Sequence, residues 1–280
     1  MSEEHMRFDR VIVPVDGSTS SQVAVDLALS SVELFSAHLE FVYVIDVKIS
    51  NRFGTVDASR EQYLAKMEGQ LFLEHVKEQA DQKTKNHTET LIEGVPWEVI
   101  CTKSEEADMM IMPVSGKTGM RPGHIGSTAK KVIENCHCPV LTLKSASNVI
   151  KEIMLPVYDE NLAAIDVAIQ TAKLVDGKIT VISILEKGHQ PQELVDSIVS
   201  RIKGEGIEAD GLVCSGDVVD TIVGKSGLFD LIVMGVDQRS GLQAILHGGV
   251  AERVVTMSSC PVTVVRKLNR VSHRSDEIAP

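Results

Sequence analysis

The chain has 280 residues, which is long for one compact domain and comfortable for two at roughly 100 to 200 residues each. Its formal net charge of −11 excludes sequence-independent nucleic-acid binding, because that requires a basic surface. The sequence has no apolar run of about 18 residues and no apolar leader, so we expect a cytoplasmic protein that does not enter a membrane.

The first half of the chain alternates apolar runs with helical patterns. The predicted strands are 11–15, 39–45, 88–92, 109–112 and 140–143, and the predicted helices are 20–35, 62–79, 97–104 and 128–135. Residues 47–61, VKISNRFGTVDASRE, are polar and contain a glycine, which indicates a loop leading into a helix. That loop is either a lid over a site or an ordinary surface insertion.

The second half repeats the first. Residues 107–143 align with 229–265 without a gap, 122 positions apart, as in the pairs Asp108 and Asp230, Gly126 and Gly248, and Pro139 and Pro261. The predicted strands of the second half are 153–157, 179–185, 208–213, 231–234 and 262–265. Strands alternating with helices predict the α/β class, as two tandem doubly wound domains at 1–146 and 147–268, followed by a flexible polar tail at 269–280.

A candidate ligand site follows from this topology. Open parallel sheets bind ligands beyond the carboxyl ends of their strands, where the strand order reverses. That rule indicates residues 14–16 and the loop after Met112, which contains SGKTGMRPGHIGST at 115–128. Its glycines and the helix start after Gly126 can turn N–H groups toward an anion. A P-loop is excluded, because its first glycine would fall at Ile111.

Three motifs stand out in this order along the chain. They are VPVDGS at 13–18, the spacing of Gly116, Gly126 and Ser127, and CPV at 138–140 and 260–262. Together they resemble the universal stress protein family in its tandem two-domain form. The resemblance covers residues 8–266. It implies two Rossmann-like (adenine nucleotide alpha hydrolase-like) domains, each a five-stranded parallel sheet with helices on both faces, packed against each other as in a dimer. In one subclass of the family it also implies binding of AMP or ATP, with a role for Mg²⁺ left open.

The resemblance places the nucleotide mainly in the first domain. Asp16 matches a carboxylate near the ribose, Val15, Val44 and Met112 match positions that line the adenine, and the glycine-rich loop would hold the phosphates. The predicted binding residues are Pro14, Val15, Asp16, Val44, Met112, Pro113, Ser115, Gly116, Lys117, Gly126, Ser127 and Thr128. Pro113 departs from the family pattern, because it replaces a glycine and lacks an N–H donor, which predicts a weaker phosphate grip or a shifted loop.

The second domain departs further from the pattern. Its candidate binding residues are Gly235, Gly248 and Gly249, the last standing where the pattern has a hydroxyl residue. Gln238 replaces the second glycine, and Tyr158 stands where the first domain has its carboxylate. We therefore expect a degenerate second site.

Several of these residues also have a structural explanation. Asp16 with Gly17 and Ser18 can form a turn and cap the next helix. Trp97 is expected to pack a short helix against the sheet.

Residues 136–138, CHC, fall short of a zinc signature and indicate a helix-to-strand connection with buried, reduced thiols, so no metal site is predicted. No catalytic residue is assigned, because His124 has no orienting carboxylate nearby in the sequence.

The sequence is compatible with three functions. They are a nucleotide-responsive stress-response or signalling module, a nucleotide-free scaffold that contacts an unknown protein partner, and a weak ATP hydrolase. A homodimer is expected, because the family resemblance implies pairing through the last strands. Here those are the short, β-branched runs 140–143 and 262–265, whose edges need covering.

Overall fold

The computed structural model describes residues 8–47, 55–116, 124–145, 149–185, 191–236 and 242–266. It confirms the alternation of strands and helices. The first half contains β1 (Arg10–Val15), α1 (Thr19–Phe35), β2 (His38–Asp46), α2 (Thr55–Asp81), β3 (His87–Gly94), α3 (Pro96–Lys103), β4 (Met109–Pro113), α4 (Ser127–Asn135) and β5 (Val140–Leu143). The second half contains β6 (Glu152–Pro156), α5 (Leu162–Val175), β7 (Lys178–Ile184), α6 (Pro191–Gly204), β8 (Ala209–Cys214), α7 (Val218–Lys225), β9 (Leu231–Val236), α8 (Leu242–Met257) and β10 (Val262–Arg266).

The described strands form one sheet in the order β3-β2-β1-β4-β5-β10-β9-β6-β7-β8. Neighbouring strands are parallel within each half, and β5 and β10 join the halves as an antiparallel pair. When the five strands of each half are numbered along its own sequence, each half has the strand order 3-2-1-4-5. The order reverses between the first and fourth strands of each half. This arrangement confirms the predicted α/β class with a five-stranded parallel sheet per half.

Two apolar layers cover the two faces of the sheet. Side chains alternate along each strand, so Val11 and Val13 enter one layer while Ile12 enters the other. The first layer packs under α1, α2, α5 and α6, and the second packs under α3, α4, α7 and α8. Trp97 of α3 packs against the second layer, as predicted. With aromatic residues at only 4% of the chain, both layers are built mainly from Val, Ile, Leu, Ala and Met.

The junction between the halves uses the strand edges from which a homodimer was expected. The antiparallel register pairs Val262 with Thr142, whose hydroxyl donates to the Val262 carbonyl at 2.8 Å. Lys144 extends the contact, since its ammonium donates to the carbonyls of Thr256 and Ser258 at 2.6 Å each. The argument that these edges need a second chain is therefore wrong, because each edge covers the other within one chain.

Helix α2 begins earlier than the sequence predicted. It starts at Thr55 rather than at position 62, so the second part of the predicted loop 47–61 is helical. Its 27 residues compare with 14 in α6, which accounts for much of the extra length of the first half. The preceding residues 48–54 lie outside the described residues, as do the predicted domain boundary at 146 and the tail at 269–280. Among the described helices, none combines the length and the apolarity needed to cross a bilayer.

Candidate nucleotide site

A crevice opens between β1 and β4 at the carboxyl end of the sheet. The two strands pair only at Val11 with Met109 and at Ile12 with Met110. Beyond that point β1 continues beside β2 to its end, while β4 stays with β5 as far as Pro113. The two strands thus separate at the position where the strand order reverses, which is where open parallel sheets bind ligands.

Asp16 lies at the end of β1 and turns the chain into α1. Its Oδ1 accepts the Ser18 N–H at 3.0 Å, and Gly17 takes a φ of 79°, which glycine adopts without steric cost. Ser18 then caps α1, because its hydroxyl accepts the Ser21 N–H at 3.1 Å. The predicted turn and cap are thus confirmed, with the cap on Ser18 rather than on Asp16.

The second carboxylate oxygen of Asp16 faces the glycine-rich loop. A Cβ placed on Gly116 would fall well inside van der Waals distance of Asp16 Oδ2. Only a residue without a side chain therefore fits at position 116 while the carboxylate stays where it is. The structure brings these two predicted residues together although a hundred positions separate them in the chain.

The start of α4 supplies donors beside this contact. The Gly126 N–H donates to the Val114 carbonyl at 2.9 Å, which anchors the helix start just beyond the end of β4. Gly126 is the N-cap and offers no side-chain acceptor, so the N–H groups of the first turn have no partner within the helix. Ser127 is exposed and Thr128 is half-buried at this helix start. Such an uncapped helix start favours an anion.

Pro113 and its neighbours connect the strand to this loop. Pro113 is the buried last residue of β4 and pairs with Leu143, so its fixed φ falls within the strand rather than within the loop. Ser115 and Gly116 follow and are half-buried. The predicted residue Lys117 lies outside the described residues.

The predicted adenine-lining side chains divide between the two faces of the sheet. Val44 and Met112 belong to the second apolar layer, with Val44 half-buried and Met112 buried. Val15 is buried in the first layer, so its side chain lies on the opposite face of the sheet from the other two. Pro14 is buried beside it in β1. An apolar ring in the crevice would therefore lie against Val44 and Met112.

The second half builds a different crevice. Gly235 corresponds to Pro113, and a Cβ on it would collide with the side chain of Asn161. Asn161 is buried, and its Oδ1 accepts the Ala164 N–H at 3.2 Å, which leaves its NH₂ group toward the end of β9. A donor thus stands near the strand end, where the first half presents a carboxylate acceptor. Tyr158, at the position of that carboxylate, is 53% exposed.

The helix after β9 also differs from its counterpart. Because α8 begins at Leu242, Gly248 and Gly249 lie inside the helix rather than at its start. Their N–H groups therefore belong to the helical hydrogen-bond ladder and are not offered to a ligand. Residue 238 lies outside the described residues. Among the residues that the structure describes around it, the second crevice lacks the strand-end carboxylate and the helix-start donors that the first one combines.

Sequence reasoning missed Asn161 as the residue inside the second crevice. The signal was present, because Asn immediately before an apolar helical pattern is a strong N-cap candidate. The repeat instead aligns Tyr158, and not Asn161, with the strand-end position of Asp16.

The thiols around residues 136–138 form a buried connection between α4 and β5. Cys136 and Cys138 are both buried, as the sequence predicted, and both are free thiols. Burial raises the pKa of Cys138 to about 12, so this thiol stays protonated at neutral pH.

Comparison with known proteins identifies clear relatives of this chain. A model of the universal stress protein family matches residues 7–144 and 192–266. Universal stress protein MJ0531 of Methanocaldococcus jannaschii is 38% identical over 143 residues, which cover 49% of this chain and 82% of that protein. Universal stress protein Rv2005c of Mycobacterium tuberculosis is 24% identical over 291 residues, covering 92% of this chain and 97% of its own. A solved universal stress protein from Archaeoglobus fulgidus shares the fold, with a TM-score of 0.78 and 19% identity over 93% of this chain and 99% of that one.

Proposed function

Because the chain belongs to the universal stress protein family, we propose that it is a stress-response or signalling module that binds one adenine nucleotide, AMP or ATP, in its first half. The contact between Asp16 and Gly116 carries this proposal. It joins the end of β1 to the loop after β4, so a ligand in the crevice would touch both.

Each part of the nucleotide has a chemical counterpart in the crevice. The Asp16 carboxylate only accepts hydrogen bonds, which suits the ribose hydroxyls. The open N–H groups at the start of α4 suit the phosphates, and the side chains of Val44 and Met112 suit the adenine ring. The carboxylate that β1 contributes here is Asp16, whose Oδ1 already holds the turn to Ser18. A bound Mg²⁺ would therefore take most of its oxygen ligands from the phosphates and water.

The proposal is binding rather than catalysis. Hydrolysis by the site would need an acid or base in reach of a phosphate, and the described crevice residues offer no paired acid and base. His124 is exposed at the surface before α4. Weak ATP hydrolysis would be seen as phosphate release above that of a Gly126→Val variant.

The test begins with nucleotide carried through purification. Denaturing extraction, chromatography and mass spectrometry should yield close to one mole of AMP or ATP per chain. Calorimetric titration of the emptied protein should then show one site. An empty extract followed by a flat titration at millimolar nucleotide contradicts the proposal.

Substitution of Asp16 by Asn localises the site. Asn keeps an oxygen for the Ser18 N–H but loses the charge, so we expect nucleotide affinity to fall about tenfold, or about 1.4 kcal/mol. Asp159→Asn is the matched control, because Asp159 follows the corresponding strand of the second half, and it should leave affinity unchanged. Equal losses in both variants would mean that the first crevice is not the site.

A second candidate function, contact with another protein chain, is supported by the outer face of α2. The side chains of Tyr63, Leu64, Met67 and Leu71 are between 41% and 63% exposed. The opposite face of the helix is packed on the sheet through Leu73, Val76 and Ala80. The helix is therefore apolar on both sides, and a contiguous exposed apolar stripe of this kind is typical of an interface.

The partner that fits this stripe is a second copy of the chain. Exposed Arg60 lies at one end of the stripe, and exposed Glu74 and Glu78 lie at the other. Two α2 helices packed antiparallel would bring the arginine of each copy to the glutamates of the other, in a symmetric contact. Such a contact would form the expected homodimer by a route independent of β5 and β10.

Light scattering after size exclusion tests this dimer. The wild-type protein should have a measured mass of twice the 30.5 kDa of one chain, and the Met67→Glu variant should have the mass of the monomer. Leu228→Glu, at a leucine that is 74% exposed outside α2, is the control and should leave the dimer intact. A wild-type monomer at high concentration, or a dimer unaffected by Met67→Glu, would contradict the α2 interface.

A further inference from the structure

Two buried thiols lie almost in contact in the first half, away from the nucleotide crevice. Cys101 belongs to α3, and Cys136 follows the last residue of α4. Their sulfur atoms are 3.0 Å apart. The S–S bond of a disulfide is about 2.05 Å long, so closing this pair requires a shift of only about 1 Å.

The second half shows what these positions hold when no thiol is present. At 122 positions further along the chain, Val223 replaces Cys101 and Ser258 replaces Cys136. Both replacements are ordinary structural residues, and neither can be oxidised to a disulfide.

The surrounding hydrogen bonds are the same in the two halves. Ser104 donates its hydroxyl to the carbonyl three residues earlier at 2.6 Å and accepts the His137 N–H at 2.9 Å. Ser226 repeats this pattern, with a 2.7 Å bond to the carbonyl three residues earlier and a 2.9 Å bond from the Ser259 N–H. Since the same local structure forms with and without thiols, the fold does not require the two cysteines there.

A cation from the other half of the molecule lies near the pair. Arg266 ends β10, and its Nε and Nη1 are buried without a hydrogen-bond partner among the described residues. The hydrogen bond from Cys136 lowers the pKa of Cys101, and the Arg266 guanidinium acts in the same direction. The same hydrogen bond and burial raise the pKa of Cys136. Cys101 is therefore the thiol that becomes the nucleophile.

We propose that Cys101 and Cys136 form a reversible intramolecular disulfide when the protein meets hydrogen peroxide, so that this pair is an oxidative modification site. The 3.0 Å separation of the sulfurs and their replacement in the second half carry the proposal. The disulfide would tie α3 to the end of α4, the helix whose start contributes to the nucleotide crevice.

The chemistry consumes one peroxide and two thiols and releases two waters. The Cys101 thiolate attacks one oxygen, the O–O bond breaks, and the departing hydroxide takes up a proton, which leaves Cys101 as a sulfenic acid. The Cys136 sulfur then attacks Cys101 Sγ, the S–O bond breaks, and the second water leaves with the Cys136 proton. Cys101 is 7% exposed and Cys136 is 1% exposed, so a large oxidant is kept away from both sulfurs. Hydrogen peroxide is the proposed oxidant because it is a small molecule.

Thiol counting by mass spectrometry tests the proposal on the full-length protein. The reduced protein is treated with hydrogen peroxide, quenched, denatured and alkylated. We expect two of its five cysteines to escape alkylation, a peptide map that links residues 101 and 136, and recovery of all five thiols after dithiothreitol.

The control variants are provided by the chain itself. Cys101→Val and Cys136→Ser each introduce the residue that the second half has at the same position, so the local structure accommodates them. In each variant, peroxide should no longer form the disulfide, and the four remaining cysteines should all be alkylated. Cys214→Ser, at a half-buried cysteine of the second half, should leave the disulfide intact. Five alkylated cysteines after peroxide, a different pair such as Cys136 with Cys138, or a link between chains would overturn the proposal.

Discussion

Two glycines of the predicted binding set have opposite surroundings, which shows what a single residue contributes to the site. A Cβ on Gly116 would collide with Asp16 Oδ2, whereas a Cβ on Gly249 would meet no atom within 4 Å. Gly116 is therefore needed for a close approach, while Gly249 is one residue in the interior of α8.

Alanine at these two positions should give opposite results. In Gly116→Ala the new methyl group displaces the Asp16 carboxylate, so we expect nucleotide affinity to fall at least about tenfold while the free energy of unfolding changes by less than about 1 kcal/mol. In Gly249→Ala we expect unchanged affinity and a gain in stability of about 0.5 to 1 kcal/mol, because alanine is the better helix former. Calorimetric titration and urea unfolding measure both effects. Equal nucleotide affinity in the two variants would show that Gly116 does not contribute to nucleotide binding.

At the scale of secondary-structure elements, one buried carboxylate connects four of them. Glu40 of β2 is 3% exposed and accepts hydrogen bonds from Arg10 of β1 at 2.8 Å, from Thr90 of β3 at 2.9 Å and from Lys103 of α3. Burial alone would raise the pKa of Glu40, but the hydrogen bonds from Lys103, Arg10 and Thr90 outweigh it and lower the pKa to about 2.

The stability that this carboxylate contributes should depend on pH. Its pKa is lower in the folded chain than the ordinary 4.5, so its contribution is complete above pH 4.5 and is lost as the pH falls toward 2. We expect Glu40→Gln to lower the free energy of unfolding by about 2 to 3 kcal/mol at pH 7, and by much less near pH 2. Urea unfolding at several pH values measures the difference. A penalty that is independent of pH would show that shape rather than charge is responsible.

The elements also show what the sequence could predict and what it could not. Apolar periodicity located the strands, and the strand-order rule brought Asp16 to the loop that contains Gly116, because both signals are local or topological. The start of α2 at Thr55 was missed, since polar residues next to a glycine fit a loop and a helix equally well. The repeat placed Gly248 and Gly249 at a helix start by analogy with Gly126, whereas α8 begins at Leu242. The contact between Cys101 and Cys136 was not predicted either, because neither residue carries a signal of its position relative to the other.

At the scale of the whole molecule, each half extends one cationic side chain across the junction to the other half. Lys144 and Arg266 occupy the same position in the repeat, 122 residues apart. Lys144 reaches from the first half to carbonyls at the end of α8, and Arg266 of the second half lies near the thiols of Cys101 in α3 and Cys136 after α4. The continuous sheet and these reciprocal contacts connect the two halves directly through their strands and side chains.

We therefore expect the two halves to unfold together. Trp97 is the only tryptophan of the chain and lies in the first half, so its fluorescence reports that half, whereas far-ultraviolet circular dichroism reports both. The two signals should follow one urea transition, because separating the halves would expose the edges of β5 and β10.

Lys144→Ala should shift both signals to lower urea by the same amount. The variant loses two hydrogen bonds near the surface, to the carbonyl of Thr256 in α8 and to that of Ser258 just after it, which corresponds to about 1 kcal/mol. Lys173→Ala is a suitable control, because it removes a surface ion pair within the second half and should change stability by less than about 0.5 kcal/mol. If the fluorescence transition stayed in place while the dichroism transition moved or split, the halves would be independent units, and the β5–β10 pairing would contribute little to their folding.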